Sequence, residues 1–312
     1  MIAPARMRIA HVSDLHVLSP AGVEWRAILF NKRMTAWANL LLHRARVFRR
    51  DYLDAVLTAA ARAADHLVVT GDITNLSLES EYEEAMRMLE AIARTVEVTV
   101  VPGNHDVYLP HVQREGRFSH HFRAFFGSDL PELALDVPAG RFPCVKLRGP
   151  AAIVGLSSAV PRPPFVSAGH LGRRQLGALA RVLAHPEVAC RTPVVLVHHG
   201  PMDSRFRLEQ LRSGLTDARA LRDALQSVGR GLLLFGHVHV RKRTRLPTAT
   251  GNLEIVSAGA AAVDHSSDAV RAGYNLYELD PEGRIVSVEA WVLDPATMDV
   301  RRHDLPPGSA AA

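Results

Sequence analysis

Only two cysteines, Cys144 and Cys190, occur in 312 residues. That is too few for a disulfide framework, and the spacing is not that of a zinc site. Both are expected to be buried thiols in a reducing compartment. Aromatic residues make up just 6% and no recognition-helix pattern is present, so specific nucleic-acid binding is not expected despite a net charge of +5. No apolar run is long enough to span a bilayer, and the stretch before Met7 is too short for a secretory leader. A cytoplasmic location follows from these absences. No Ser, Cys or Lys nucleophile motif is evident either, which points away from a covalent intermediate.

What the chain does have is five short polar fragments, each directly after an apolar, largely β-branched run. Asp14-Leu15-His16 follows Arg8–Val12, and Gly71-Asp72 follows Leu67–Thr70. Gly103-Asn104-His105-Asp106 follows Val98–Val101, His198-His199 follows Val194–Val197, and Gly236-His237-Val238-His239 follows Leu232–Phe235. A buried parallel strand reads as such a run, and residues beyond the carboxyl ends of parallel strands line the ligand crevice. Five strands are therefore expected to deliver polar side chains to one edge of one sheet.

The fragments supply ligand-type groups in a specific mixture. Asp14, His16, Asp72, Asn104, His198, His237 and His239 offer two carboxylates, one amide oxygen and four imidazoles. Mixed oxygen and nitrogen donors suit Mn²⁺, Fe²⁺, Zn²⁺ or Co²⁺ rather than Mg²⁺ or Ca²⁺. Seven donors exceed one tetrahedral site but fit two ions sharing a carboxylate, roughly 3.5–4 Å apart. Taken singly, Gly-Asp is an ordinary turn and Asp-x-His a strand cap. The order of all five decides against that.

That order resembles the calcineurin-like metallophosphoesterases over about residues 7–290, with every motif position filled. The resemblance implies an α/β fold, a four-layer αββα sandwich of two mixed β-sheets flanked by helices. It implies that Asp14, His16, Asp72 and His239 hold a first metal. Asp72, Asn104, His198 and His237 would hold a second, with Asp72 bridging. His105 matches the family's non-ligand histidine, which contacts the phosphate and protonates the leaving group, and Asp106 matches the carboxylate that orients it. The cofactors expected are two divalent ions, Mn²⁺ and/or Fe²⁺ first, Zn²⁺ or Co²⁺ as alternatives. A hydroxide bridging the two would attack phosphorus directly. An ordinary histidine pKa near neutrality suits His105 to the acid role.

Within the family, Gly71-Asp72-Ile73-Thr74-Asn75, Glu81-Tyr82 and the Gly155–Phe165 loop are similar to bacterial class III cyclic-nucleotide phosphodiesterase-like proteins. Those commonly carry an aspartate where Asn75 stands. The expected activity is hydrolysis of a phosphodiester, with an anionic phosphoester as the partner. The alternative is a pyrophosphate hydrolase acting on a nucleoside-diphosphate-lipid at a membrane surface. A non-enzymatic scaffold is disfavoured because no ligand position is missing.

One domain over 1–300 is expected, with a flexible tail over 301–312. Helical spacing is read at Asp51–Ala63, Leu78–Ala93, Leu171–Leu183 and Thr216–Ser227. Ala151–Leu156, Leu253–Ser257, Tyr274–Leu279 and Arg284–Ala290 read as strands, the last three as a meander in the second sheet. Between the first motif and the first helix, Glu24–Arg50 carries seven basic residues against one acid and two of the three tryptophans. Two readings of this basic amphipathic insertion stand side by side: a lid packed over the metal site, and an interfacial helix giving peripheral contact with the inner face of a membrane. Arg241–Arg245 is a second basic run, read as a solvated turn with one or two cations facing the phosphate. His199 is expected to line the pocket with its side chain turned from His198. His11, His66, His120, His121 and His170 are expected to be surface or satisfied core residues.

Overall fold

The apolar runs before the five motifs become buried strands. In the computed structural model, which describes residues 6–19, 48–201, 207–305 and 308, β1 (Met7–Val12), β2 (His66–Val69) and β3 (Glu97–Val100) pair in parallel. Helix α1 (Arg50–Ala63) comes between β1 and β2, and α2 (Glu79–Ala93) between β2 and β3. After β3 come the short helices α3 (Pro110–Arg114) and α4 (Arg117–Phe122) and the hairpin β4 (Leu135–Val137) and β5 (Gly140–Phe142). β6 (Cys144–Arg148) and β7 (Ala151–Gly155) lead into α5 (Arg173–Ala184), α6 (Pro186–Ala189) and β8 (Thr192–Leu196). Helices α7 (Arg207–Ser213) and α8 (Ala218–Ala224) precede β9 (Arg230–Phe235). The chain closes with β10 (Lys242–Pro247), β11 (Asn252–Ser257), β12 (Gly273–Leu279), β13 (Ile285–Leu293) and β14 (Val300–His303).

Two six-stranded mixed sheets result, ordered β14-β13-β12-β1-β2-β3 and β10-β11-β9-β8-β7-β6. The motif strands are thus divided between them, β1 to β3 in the first and β8 and β9 in the second, instead of sharing one sheet. Side chains alternate along β8 and β9 as a strand's two-residue period requires. Val194, Leu196, Leu232 and Leu234 enter the core between the sheets. Val195, Val197, Leu233 and Phe235 meet Leu176, Leu179 and Val182 of α5 and Leu221 of α8 on the outer face. Helix α1 covers the first sheet across β1, β2, β12 and β13. That makes the four layers.

The expected meander is corrected. β11 pairs in parallel with β9 in the second sheet, whereas β12 runs antiparallel to β1 in the first, Met7 opposite Leu279. Without β12, the flank of β1 opposite β2 would leave a row of buried peptide groups unpaired, so the chain crosses between sheets to fill it. Arg241–Arg245 is corrected too. It is not a turn facing phosphate: Lys242–Pro247 is the edge strand β10, where Arg243 and Arg245 both bind Glu254 at 2.8 Å. Cys144 is buried as expected, and burial pushes its thiol up to about 11, but Cys190 is exposed. The helix read over Thr216–Ser227 is shorter, Ala218–Ala224. The insertion, except for Phe48–Arg50, and half of the tail lie outside the described residues, while Arg301–His303 belong to β14. No helix among the described residues is long and apolar enough to cross a membrane.

Candidate metal centre

Backbone hydrogen bonds fasten the first loop to the second and the fourth to the fifth. Asp14 and His16 donate N–H bonds to the Gly71 and Asp72 carbonyls, both at 3.0 Å, Gly236 donates to His198, and Ala261 donates to Ser13. Packing this close leaves no room for side chains at two motif glycines. A Cβ on Gly103 would stand 2.2 Å from Asp72 Oδ1, and one on Gly236 would stand 1.8 Å from Ser13 Oγ. The described chain has eight non-glycine residues at positive φ, and five of them are Asp14, His16, Asp72, His237 and His239. Each such residue costs about 1–3 kcal/mol, and such strain concentrates at functional sites.

The side chains converge on one another. His239 Nε2 lies 3.0 Å from Asp14 Oδ1 and 3.3 Å from His16 Nε2. His198 Nε2 lies 3.2 Å from Asn104 Oδ1 and 3.3 Å from Asp72 Oδ2. The His237 ring stands 5.2 Å from that of His198. Nδ1–H of His198 donates to the Thr70 carbonyl at 2.7 Å, which fixes the tautomer and leaves Nε2 as the ligand nitrogen. Three overlapping clusters contain a carboxylate: Asp14 with His16 and His239, Asp14 with Asp72 and His198, and His16 with Asp72 and His105.

The electrostatics fit a cation pair. Asp14 and Asp72 are buried, and among the described residues their ion-pair partners are histidines alone. Burial works to raise both carboxyls, yet the surrounding imidazoles hold them below the usual carboxylate range. Burial opposes a charge on His198, but Asp72 and Asp14 overcome it and push this imidazole up to about 9. Two buried carboxylates without Lys or Arg require positive charge from elsewhere. The seven donors would hold two divalent ions.

His105 sits beside this cluster with its ring edge-on to His16 at 4.9 Å and stacked on Tyr108. Its backbone N–H donates to Asp72 Oδ1 at 2.7 Å, and its Nδ1–H to the Asn75 carbonyl at 2.5 Å. The orienting role expected of Asp106 is therefore corrected. The Asp106 carboxylate accepts N–H bonds from Ile73, Thr74 and Gly103 and the Thr74 hydroxyl, tying the second and third loops together. Burial and the Asp72 charge push it up to about 7 against the pull of those N–H groups. His199 does not line an open pocket. It is buried 4.5 Å from the His237 ring, with Nδ1 on the Ser158 hydroxyl and Nε2–H on the Ser167 carbonyl, so neither nitrogen is left for a metal. Arg241 is buried and donates to the Asp268 and Arg271 carbonyls, pinning a loop instead of meeting substrate.

A family model described as calcineurin-like phosphoesterase matches residues 7–241. The chain belongs to the calcineurin-like phosphoesterase family. It is 27% identical over 233 residues to a probable cyclic nucleotide phosphodiesterase of Rhodococcus erythropolis, a match covering 74% of this chain and 64% of that protein. The chain thus spans less than two thirds of that relative. Its fold is similar to a purple acid phosphatase from yellow lupin seeds, with TM-score 0.58 at 12% identity over 98% of this chain and 54% of that one. It is also similar to a dimetal phosphatase from Danio rerio, with TM-score 0.52 at 15% identity over 88% of this chain and 93% of that one.

In this member of the family, three further residues build the site. The buried Glu81 carboxylate accepts N–H bonds from Asn75, Leu76 and Leu78, and Tyr82 donates its hydroxyl to the Asp106 carbonyl. Together they shape the turn that presents the Asn75 carbonyl to His105. Glu81 and Tyr82 stand out in sequence only as part of a likeness. The Asn75 contact uses a backbone oxygen, which has no sequence signature at all. A cavity of about 670 Å³ between α4 and the β4–β5 hairpin, lined by Ser119, Arg123, Phe126 and Arg141 among others, shares no residue with the five motifs.

Proposed function

We propose that the protein is a dinuclear-metal phosphohydrolase that cleaves a phosphodiester P–O bond without a covalent intermediate. The observation that carries this reading is the convergence of seven donor groups from five loops beside a half-buried histidine that is not one of them. Two divalent ions, Mn²⁺ and/or Fe²⁺ before Zn²⁺ or Co²⁺, would supply an acidified water and screen the charge on the phosphoryl oxygens. Asp72 belongs to both donor groups and holds them at a fixed separation. Asn104 contributes a neutral oxygen, so it adds no negative charge against an anionic substrate. The Asn75 carbonyl takes the Nδ1 hydrogen of His105, so Nε2 is the nitrogen that gives a proton to the departing oxygen. The likeness to the Rhodococcus protein, a probable cyclic nucleotide phosphodiesterase, supports a cyclic-nucleotide diester as substrate.

Purified with Mn²⁺, the protein is expected to hydrolyse bis-p-nitrophenyl phosphate, and no turnover with any divalent metal would sink the reading. His105→Ala should retain metal and slow alkyl diesters by about 10²–10⁴-fold, with a smaller loss for the p-nitrophenyl ester. Equal losses for both would argue against the acid role.

A second reading, hydrolysis of a lipid-linked pyrophosphate at a membrane surface, has its own observation. Five large hydrophobic side chains are exposed among the described residues, and Phe165, Leu208, Leu211 and Val238 are four of them. Val238 separates the ligands His237 and His239. Arg212 of α7 donates to the Phe165 carbonyl, and the adjoining Ser167 holds His199. Vesicles containing phosphatidylglycerol should float with the protein under this reading and release a Phe165→Asp, Leu208→Asp variant. No flotation would leave soluble nucleotides as the substrates.

A further inference from the structure

Beneath the ligand loops, between the two sheets, lies a polar layer that meets the site above through Thr70. His11, Thr70, Ser257, Asn275 and Tyr277 are all fully buried there. Their hydrogen bonds form one chain, and its direction is readable. Asn275 Nδ2 donates to the Ser257 carbonyl at 3.1 Å and to the Tyr277 oxygen at 3.3 Å. Burial raises the Tyr277 phenol, which keeps its hydrogen and donates it to His11 Nδ1 at 3.0 Å. Burial, with a smaller push from Arg241 against the pull of Asp14, lowers His11 to about 3, so its ring is neutral. A neutral imidazole accepting at Nδ1 carries its hydrogen on Nε2. That hydrogen goes to Thr70 Oγ1 at 2.8 Å.

Thr70 is the junction. Its hydroxyl receives His11, and its carbonyl receives the Nδ1–H of His198 at 2.7 Å. At the other end, Ser257 donates its hydroxyl to the Val240 carbonyl and accepts the Lys242 N–H, just past His239. The layer thus runs from the support of one proposed second-metal ligand to the loop carrying a first-metal ligand. His66 offers a contrast. It is equally buried and bound to Thr99, but it begins the strand that Thr70 follows, at the end away from the ligands.

We propose that His11 and Tyr277 are positioning residues, holding the Thr70 peptide so that His198 presents Nε2 to the second metal. The inference rests on the metal-centre reading and adds a set of residues outside the ligand loops to it. Outer partners of metal-binding histidines typically change affinity by about 10–100-fold when removed.

The test is calorimetric titration of the metal-free full chain with Mn²⁺, with the Mn²⁺ electron paramagnetic resonance spectrum recorded alongside. Tyr277→Phe and His11→Leu should weaken the second ion by about 10–100-fold and leave the first near its original affinity. His11→Gln, whose amide both accepts and donates, should recover most of the loss. His66→Leu should lower the melting temperature without touching either affinity. Unchanged two-site binding in Tyr277→Phe and His11→Leu would overturn the inference alone. So would equal weakening of both ions in step with lost stability. Should His11→Leu not fold, Tyr277→Phe, which removes one oxygen, decides the matter. Failure of the unsubstituted chain to bind a manganese pair would overturn the metal-centre reading, and this inference with it.

Discussion

Asp72→Asn is expected to lower turnover of a chromogenic phosphodiester by about a thousandfold or more, in a chain that keeps its fold but no longer retains two ions. The reason is that one carboxylate serves two groups of donors. Oδ2 lies 3.3 Å from His198 Nε2, while Oδ1 receives the His105 N–H at 2.7 Å. Asparagine preserves the shape, but it removes one of the two buried negative charges and can turn an NH₂ toward an imidazole. Neither subsite then has its full charge, and the imidazoles, neutral as ligands, do not replace it. Metal content by atomic emission, far-ultraviolet circular dichroism and kcat together check the result. Two ions per chain with activity within tenfold of the unsubstituted protein would contradict it.

Gly236→Ala is expected to damage the fold and the site together. The added carbon would meet Ser13 Oγ at 1.8 Å and Asp14 Oδ2 at 2.6 Å. Ser13 is fully buried and Asp14 is held on both oxygens, by the His237 N–H and by His239 Nε2, so neither has anywhere to go. The first and fifth loops must separate. Overpacking of this kind costs about 1–3 kcal/mol, which for a chain of this size lowers the melting temperature by about 1.5–5 °C. Because the separation moves Asp14 from His239, affinity for the first ion should fall as well. Gly177→Ala is the matched control: it lies in α5 with nothing within 4 Å of its Cβ and should be neutral or slightly stabilising. Scanning calorimetry of both variants tests the pair, and equal melting temperatures would refute the steric account.

Legibility in the sequence followed the physics of burial. β1, β2, β8 and β9 were readable because a strand covered on both faces is an unbroken apolar run, and the polar residue that ends each run marks the crevice. β10 was not readable, because Lys242-Arg243-Thr244-Arg245 is an exposed edge whose charges are matched by Glu254 on its neighbour, a pairing visible only once β11 is in place. The sheet assignment of β12 was hidden for a similar reason: its partner β1 lies more than 260 residues earlier. At the site, side-chain ligands announced themselves by type and order. The orientation of His105 did not, since it depends on a backbone carbonyl and on a Glu81 that works by collecting N–H groups. Arg241 was misread because charge in a sequence suggests solvent, whereas its guanidinium ends on carbonyls inside the protein.

The division of the motif strands between two sheets has a consequence for how the protein experiences its surroundings. On the proposed assignment, the first ion joins Asp14, His16 and Asp72 of one sheet to His239 of the other, and the second joins Asp72 and Asn104 to His198 and His237. Each ion is then a rivet through the sandwich, and its binding energy is added to the energy that keeps the layers together. At a free concentration a hundred times the dissociation constant, one such ion contributes about 2.7 kcal/mol. The lifetime of the folded chain becomes tied to the supply of transition metal, so that scarcity would thin out the enzyme itself as well as silence it.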